Sequence, residues 1–370
     1  MTALSVLAPH PHAAAVLGAA MDQRPSHAYL FHGPAGTGKR SAARAFAGEL
    51  LAQGAPDPDG ARARALSGAH PDLSWVAPGG AHVMLRRDVE EAVVGAATRT
   101  PFEAAFRVFV LERVDTMNDE AANSLLKTLE EPASYVVLIL LTDRLTQVLP
   151  TIASRCQPVR FDPVPAARLV ERLQSRGVAP EAAEACARLS LGDGEAALAL
   201  ALGEGPALRA RAEAFARAPL HGEVAKRPWE PLVAEARTLG QAVEAEFETA
   251  LKAELEYLPS KEHRKRTTEF TERSRRASRR AATEALSRAL GLAGLWYRDL
   301  ACVVAGAGEL ALHADRAAEL RADAEGRDPG ALQDAVALVE DTRARLELNV
   351  AEDLACEALA YRLERLLRAA

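Results

Sequence analysis

Aromatic residues make up only 5% of the 370-residue chain, so it has no ready platform of rings for stacking nucleic-acid bases. Cysteine is equally scarce. Cys156, Cys186, Cys302 and Cys356 lie far apart, with no Cys-x-x-Cys pair and no nearby histidine spacing. That excludes a disulfide framework and a zinc module, and leaves buried free thiols as the reading. No apolar run approaches the length of a membrane span, and no charged leader precedes an apolar core, so a soluble, cytoplasmic protein is expected. Basic excess is missing too. A formal charge of −6 excludes a globally basic nucleic-acid binder, although local patches stay open.

What is abundant is Ala, Leu, Glu and Arg, a helix-forming composition, in a chain long enough for two or three domains. The first part alternates short apolar runs with helical patterns, which predicts a parallel sheet covered by helices. Strands are expected at 28–32, 73–76, 108–112, 136–142 and 159–161, and helices at 39–51, 88–97 and 119–130. Between Gln53 and Gly80 the abundance of Gly, Pro, Asp and Ala predicts a loop-dominated excursion around one strand.

Residues 33 to 40 form a phosphate-binding loop, Gly33-Pro34-Ala35-Gly36-Thr37-Gly38-Lys39-Arg40, between the apolar run 28–31 and a helical pattern. In such a loop the backbone N–H groups turn inward around phosphates and Lys39 reaches the β/γ oxygens. The last position breaks the pattern, because Arg40 stands where a Ser or Thr would ligate magnesium. A hydrolysing site also needs an acid and a base at the end of a neighbouring strand. Here that strand ends in Glu112-Arg113. Glu112 either attracts a cation or is a surface charge after a buried strand, and Arg113 cannot accept a proton. Thr142 ends the next apolar strand, where its hydroxyl either senses a γ-phosphate or satisfies the strand terminus. Arg155, in Thr151-Ile152-Ala153-Ser154-Arg155-Cys156, is a guanidinium at a turn. It suits stabilisation of charge on a transferring phosphoryl group, including one bound by a neighbouring subunit, although an arginine in such a place, taken alone, is more often a surface or structural one.

Strand signals stop after Phe161, and Asp162-Pro163-Val164-Pro165 reads as a hinge into helical structure. Residues 165–202 carry a helical pattern broken at Leu191-Gly192-Asp193-Gly194, and a further helical array follows from about 209. Its last segment spaces Val336, Val339, Leu346, Val350, Leu354, Ala358 and Tyr361 as a helix-packing face, internal or shared with a partner. Segment 261–280 holds nine basic and three acidic residues, a local +6. It is either a phosphate-attracting patch or a solvated helix face.

The loop with its preceding His27-Ala28-Tyr29-Leu30-Phe31, together with His70-Pro71-Asp72, Asn118–Pro132 and Ser154-Arg155-Cys156, resembles the delta-prime family of the bacterial DNA polymerase III clamp loader. These are AAA+ relatives of the gamma/tau ATPases. Trp296–Leu300 and Leu346-Glu347-Leu348-Asn349 extend the resemblance more weakly. It implies an α/β AAA+ P-loop domain with a parallel sheet at 1–162, a small helical lid at 163–207 and an all-α collar at 208–370. It further implies a non-hydrolysing subunit of a hetero-oligomer with gamma/tau and delta, acting with the sliding clamp and primer-template DNA in replication and not at a membrane. Arg155 becomes an arginine finger supplied in trans to a gamma/tau site.

Gly33, Gly36, Gly38, Lys39 and Thr142 become a vestigial nucleotide site, degenerate at Arg40, Glu112 and Arg113, with Glu195 where active subunits carry a sensor arginine. ATP binding is expected to be weak or absent, no cofactor to be required, and the family's four-cysteine zinc module to be missing. Two alternatives stand beside this reading. One is a self-sufficient ATPase using Ser41, Glu112 and Asp115; the other is a DNA-binding adaptor working through 261–280.

Overall fold

The structure, a computed structural model, describes residues 6–78, 83–255, 259–346, 348 and 350–368. It divides into two compact units: Met1–Pro165 with Gly192–Glu195, and Ala166–Leu191 with Ala196–Ala370.

The first unit is built on five parallel strands, β1 (Ala28–His32), β2 (Leu73–Val76), β3 (Arg107–Leu111), β4 (Val136–Thr142) and β5 (Gln157–Arg160). They lie in the order β2-β3-β4-β1-β5. β4 is buried along its whole length, as the central position of an apolar run in a parallel sheet requires. β1, β2 and β4 fall where the sequence places them, β3 begins one residue early, and β5 occupies 157–160 instead of 159–161. Pro158 is tolerated there because β5 is an edge strand.

Alternate residues of each strand feed two cores. Tyr29, Phe31, Val110 and Ile139 pack with Phe46 and Leu50 of α2 (Lys39–Ala52), beside α1 (Pro11–Asp22) and α3 (Pro58–Ser67). Leu30, Phe109, Leu138 and Leu140 pack on the other face. There they meet a helical stretch made of α4 (Arg86–Val89), a π-helical turn (Glu90–Val94) and α5 (Gly95–Ala97), then α6 (Asp119–Glu130) and α7 (Pro150–Ala153).

Helix α3 corrects the expected loop between Gln53 and Gly80, of which Gly79 and Gly80 lie outside the described residues. Asp57 caps it by accepting from the Gly60 amide at 3.0 Å, worth about 1 kcal/mol. Pro58 fits its first turn, Gly68 ends it at φ 77°, and Ala61 and Ala65 are fully buried four residues apart. Composition read as loop hid a short capped helix. The His70-Pro71-Asp72 motif that follows is structural. Asp72 accepts from the amides of Phe102, Glu103 and Ala104 at 2.6, 2.9 and 3.0 Å, tying the start of β2 to the approach of β3. Burial alone raises its pKa, yet these amides and His70 outweigh that and hold the carboxyl below its ordinary value.

The second unit is helical: α8 (Ala166–Gln174), α9 (Pro180–Leu189), most of α10 (Gly194–Ala201), α11 (Gly205–His221), α12 (Glu230–Leu255), α13 (Ser260–Val304), α14 (Ala317–Ala324), α15 (Pro329–Leu346) and α16 (Glu352–Arg368). Trp296 and Tyr297 sit in its core, where the indole donates to Asp323 at 3.1 Å and the phenol to the Ala216 carbonyl at 2.7 Å.

The expected C-terminal face splits. Val339 and Leu346 are buried, whereas Leu354 and Tyr361 are 65% and 48% exposed and Ala358 is exposed. α15 ends at Leu346 and α16 begins at Glu352, so the spacing loses phase. α16 buries Cys356, Leu359, Leu363 and Leu367 instead. Glu347 and Asn349, part of the C-terminal resemblance, lie outside the described residues. Among the described residues no helix is long and apolar enough to cross a membrane.

Candidate functional site

The loop after β1 opens where the carboxyl ends of the parallel strands meet, because His32 is in register with Thr142 of β4 and with Arg160 of β5. Only glycine fits two of its positions. A Cβ on Gly33, at φ 145°, would stand 2.0 Å from the Phe161 carbonyl oxygen, and one on Gly36, at φ 69°, would stand 1.5 Å from Asp193 Oδ2. A carboxylate therefore lies against the loop. Gly38, also left-handed at φ 84°, leads into α2.

Lys39 is turned onto its own chain. Its Nζ donates to the Gly33 and Pro34 carbonyls at 2.7 and 2.5 Å, lies 3.3 Å from Thr37 Oγ1 and pairs with Asp143 Oδ1 at 2.7 Å. The side chain is 6% exposed, and a buried ammonium needs such partners for its three donors.

Arg40 reaches across to β3. Its Nε lies 2.8 Å from Glu112 Oε1, which also accepts from the Trp75 indole. Glu112 is 13% exposed, so its charge is met mainly by these two groups. Magnesium does not fit this arrangement. A guanidinium offers no lone pair to a metal, and the carboxylate facing it already serves two donors. Arg113 follows at φ 54°, a left-handed backbone costing an ordinary residue about 1 to 2 kcal/mol, and lines the same cavity.

Thr142, 1% exposed, donates to Asp115 at 2.7 Å and accepts from the Arg144 amide at 3.0 Å. Its hydroxyl thus joins the strand terminus to Asp115, one of the acids named for the ATPase alternative. Ser41, named for the same alternative, donates to Glu195 at 3.1 Å. In the cavity lined by Gly36, Lys39, Arg40, Glu112, Arg113, Asp143 and Glu195, Lys39 and Arg40 are each matched to an internal carboxylate, and Arg113 adds a further positive charge. Beside the loop, burial lowers the pKa of His10, with Lys39 adding to the effect and Asp162 opposing it. Burial likewise lowers that of His32.

Arg155 sits apart from this cavity. α7 starts on Pro150 and ends at Ala153, and only Ser154, Arg155 and Cys156 separate it from β5, fixing the backbone at 155. The guanidinium bonds Glu130 Oε1 at 2.7 Å through one nitrogen and the Thr151 carbonyl at 3.0 Å through the other. It remains 38% exposed. Glu130 is the last residue of α6, whose start is capped by Asn118 accepting from the Ala121 amide at 2.9 Å. Leu125 and Leu129 of that helix are buried and Leu126 half-buried. Cys156 is buried and its thiol is pushed up to about 12 by burial, so it stays protonated at neutral pH.

The structure thus gathers Gly33, Gly36, Gly38, Lys39, Arg40, Glu112, Arg113 and Thr142 at one end of the sheet and sets Arg155 at a separate, exposed turn. Sequence reasoning missed Trp75, Glu130, Asp143 and Asp193. Asp143 follows the singled-out Thr142, Glu130 lies in the Asn118–Pro132 stretch and Asp193 in the break at 191–194, whereas Trp75 had no such signal.

Residues 11–165 match the family model described as DNA polymerase III, delta subunit. The DNA polymerase III subunit delta' of Bacillus subtilis is 36% identical over 171 residues, covering 45% of this chain and 51% of the relative. That of Pseudomonas aeruginosa is 38% identical over 169 residues, covering 44% and 51%. The chain spans about half the length of these curated relatives. A crystal structure of a DNA polymerase III gamma subunit-related protein from Thermotoga maritima overlaps 96% of this chain and 99% of its own, with a TM-score of 0.48 and 15% identity. The resemblance drawn from the loop, the Asn118–Pro132 stretch and Ser154-Arg155-Cys156 is borne out by the family match and the two delta' relatives.

Proposed function

We propose that this chain, whose first unit is homologous to DNA polymerase III delta' subunits, is a non-hydrolysing subunit of a replicative clamp loader. The observation that carries the reading is the Arg40–Glu112 ion pair, 2.8 Å long, at the place where a loop hydroxyl and an acid would share magnesium. The cation at this position is a side chain of the loop itself. With Lys39 paired to Asp143 and Ser41 bonded to Glu195, the loop serves as scaffold, and nucleotide binding there is weak or absent.

In this reading Arg155 is an arginine finger supplied in trans to an adjacent gamma/tau ATPase. The short α7, the Glu130 carboxylate and the Thr151 carbonyl present its guanidinium at the surface, where it meets the charge developing on a partner's γ-phosphate. Residues 163–207 act as a lid and 208–370 as a collar assembling with gamma/tau and delta. The exposed Leu348, Leu354 and Tyr361 give that collar an apolar face for a neighbouring subunit. The assembly loads the sliding clamp at primer-template DNA in the cytoplasm, and this subunit needs neither zinc nor another cofactor.

The test is the assembly reconstituted with its gamma/tau partner, clamp and primed DNA. Arg155→Ala is expected to depress its ATPase and clamp loading while assembly persists. Wild-type rates in that variant would overturn the trans role.

A further inference from the structure

Helices α12 and α13 form a hairpin whose outer part leaves the core of the second unit. Among the described residues, the last buried apolar residue of α12 is Ala236 and the first of α13 is Ala282. The 19 residues from Arg237 to the end of α12 extend about 28 Å at ~1.5 Å per residue. The two strokes are held by contacts of their own. Phe247 and Phe270 meet edge-on at 6.2 Å, and Gly240 lets the helices close until a Cβ there would stand 3.0 Å from the Ser278 carbonyl oxygen.

Net positive charge on this arm is confined to α13, since the outer part of α12 carries Glu244, Glu246, Glu248 and Glu254 against Arg237 and Lys252. The chain is −6 overall, yet 261–280 is +6. The side chains of Lys261, Glu262, Lys265 and Glu269 lie outside the described set, so the surface rests on the others. Arg264, Arg273, Arg275 and Arg279 are exposed. At ~100° per residue Arg264, Arg275 and Arg279 fall within about 60° of one another on α13, and Arg275 also edges the groove where Phe247 and Phe270 meet, beside Glu244 and Glu248 of α12. Arg273 and Arg266 flank the Phe270 ring at 5.8 and 4.8 Å, which stiffens the middle of the arm. Between the stripe arginines lie exposed Thr268, Thr271 and Glu272, the last of which is paired to Arg276 at 3.1 Å.

We propose that the Arg264–Arg275–Arg279 stripe of this arm binds the phosphate backbone of duplex DNA. The stripe spans about 22 Å, the run of roughly six phosphates of one strand at ~3.4 Å each. Guanidinium groups on a rigid helix suit phosphate oxygens, and no salt bridge ties these three to a carboxylate among the described residues. Two features of the face select the occupant. It carries no exposed aromatic, so single-stranded bases find nothing to stack on. It also lacks the apolar centre on which an acidic protein partner would anchor.

The test uses the full chain and a fluorescein-labelled duplex of random sequence, read by anisotropy across a salt series. The wild type is expected to bind with log K falling against log salt at a slope near −3, about −0.9 per phosphate engaged. R264Q/R275Q/R279Q is expected to remove most of that slope and to weaken low-salt binding about tenfold or more, with unchanged circular dichroism. R172Q/R176Q/R365Q, which removes the same charge from other exposed positions, is expected to stay within about twofold of wild type. The proposal is overturned if the wild type does not bind duplex at low salt, if the arm variant keeps the wild-type slope, or if the control variant loses as much. Displacement of the duplex by polyglutamate at equal charge concentration would also overturn it, in favour of an acidic protein partner.

Discussion

The loop after β1 and the turn before β5 both carry positive charge at the surface of the same unit, and they treat it in opposite ways. At the loop, Lys39 is buried among two carbonyls and Asp143, and Arg40 is drawn onto Glu112. At the turn, Arg155 is held by a carbonyl and by Glu130, an acid itself 50% exposed, whereas Arg40, though 64% exposed, is held by a Glu112 that is only 13% exposed. Charges matched inside a chain have little to offer a ligand, because any phosphate must first displace a carboxylate already in place. A charge held loosely at the surface by one exposed acid can be exchanged for a stronger anion at small cost. Similar residue types therefore read as scaffold in one place and as a reactive group in the other.

The largest effect expected from breaking this contrast is at Arg155. In an assembly where only the partner site facing it can turn over, Arg155→Ala should lower turnover about 100-fold or more, the range of a removed arginine finger. Lys39→Ala in the same assembly should leave turnover within about twofold, so equal losses in the two variants would erase the distinction.

A second, smaller effect concerns the loop. Arg40→Thr returns a hydroxyl to the metal position and releases Glu112. Binding of a fluorescent ATP analogue should rise about tenfold, and only with magnesium present, equivalent to about 1.4 kcal/mol. A rise that is indifferent to magnesium would mean that Arg40 was only blocking entry.

Acid should weaken the loop unit before neutral or mildly basic conditions do. Burial lowers the pKa of His10, His32 and His70 below the ordinary 6.5. The unfolded chain therefore takes up protons first as pH falls. Stability is fully present above pH 6.5 and declines below it towards the folded-state values. Urea melts should show the midpoint falling between pH 7.5 and pH 5.5, and His10→Gln should flatten part of that slope. A midpoint that rises on acidification would contradict the assignment.

The smallest effect is expected at Glu130. Glu130→Gln removes an exposed pair worth about 0 to 1 kcal/mol, so the melting temperature should barely move. The partner-site rate should fall a few-fold with its KM for ATP unchanged, as for a residue that orients Arg155 without binding nucleotide. An unchanged rate would reduce Glu130 to a surface contact.

Much of this was legible in the sequence, because the phosphate loop, the apolar strands and the Asn118–Pro132 helix are local patterns whose period and spacing need no partner. The oddity at Arg40 was visible as well. Its partner was not fully so, since Glu112 is 72 positions away and only the strand order brings β3 to the loop. The roles of Asp143, Trp75 and Asp193 were hidden for the same reason: Asp143 meets Lys39 from the end of β4, Trp75 meets Glu112 from β2, and Asp193 meets Gly36 from a distant turn. α3 was missed because its Gly, Pro and Asp, which compose a loop elsewhere, here form a cap and a first turn. The C-terminal face failed at the break between α15 and α16, where an unbroken spacing in the sequence crosses an interrupted helix.

The most direct measurement of the central claim is ATP turnover by the isolated chain with magnesium, run beside Lys39→Ala. The account predicts that wild type and variant are both indistinguishable from a protein-free blank. Turnover by the wild type that Lys39→Ala abolishes would contradict it and make the loop a working ATPase.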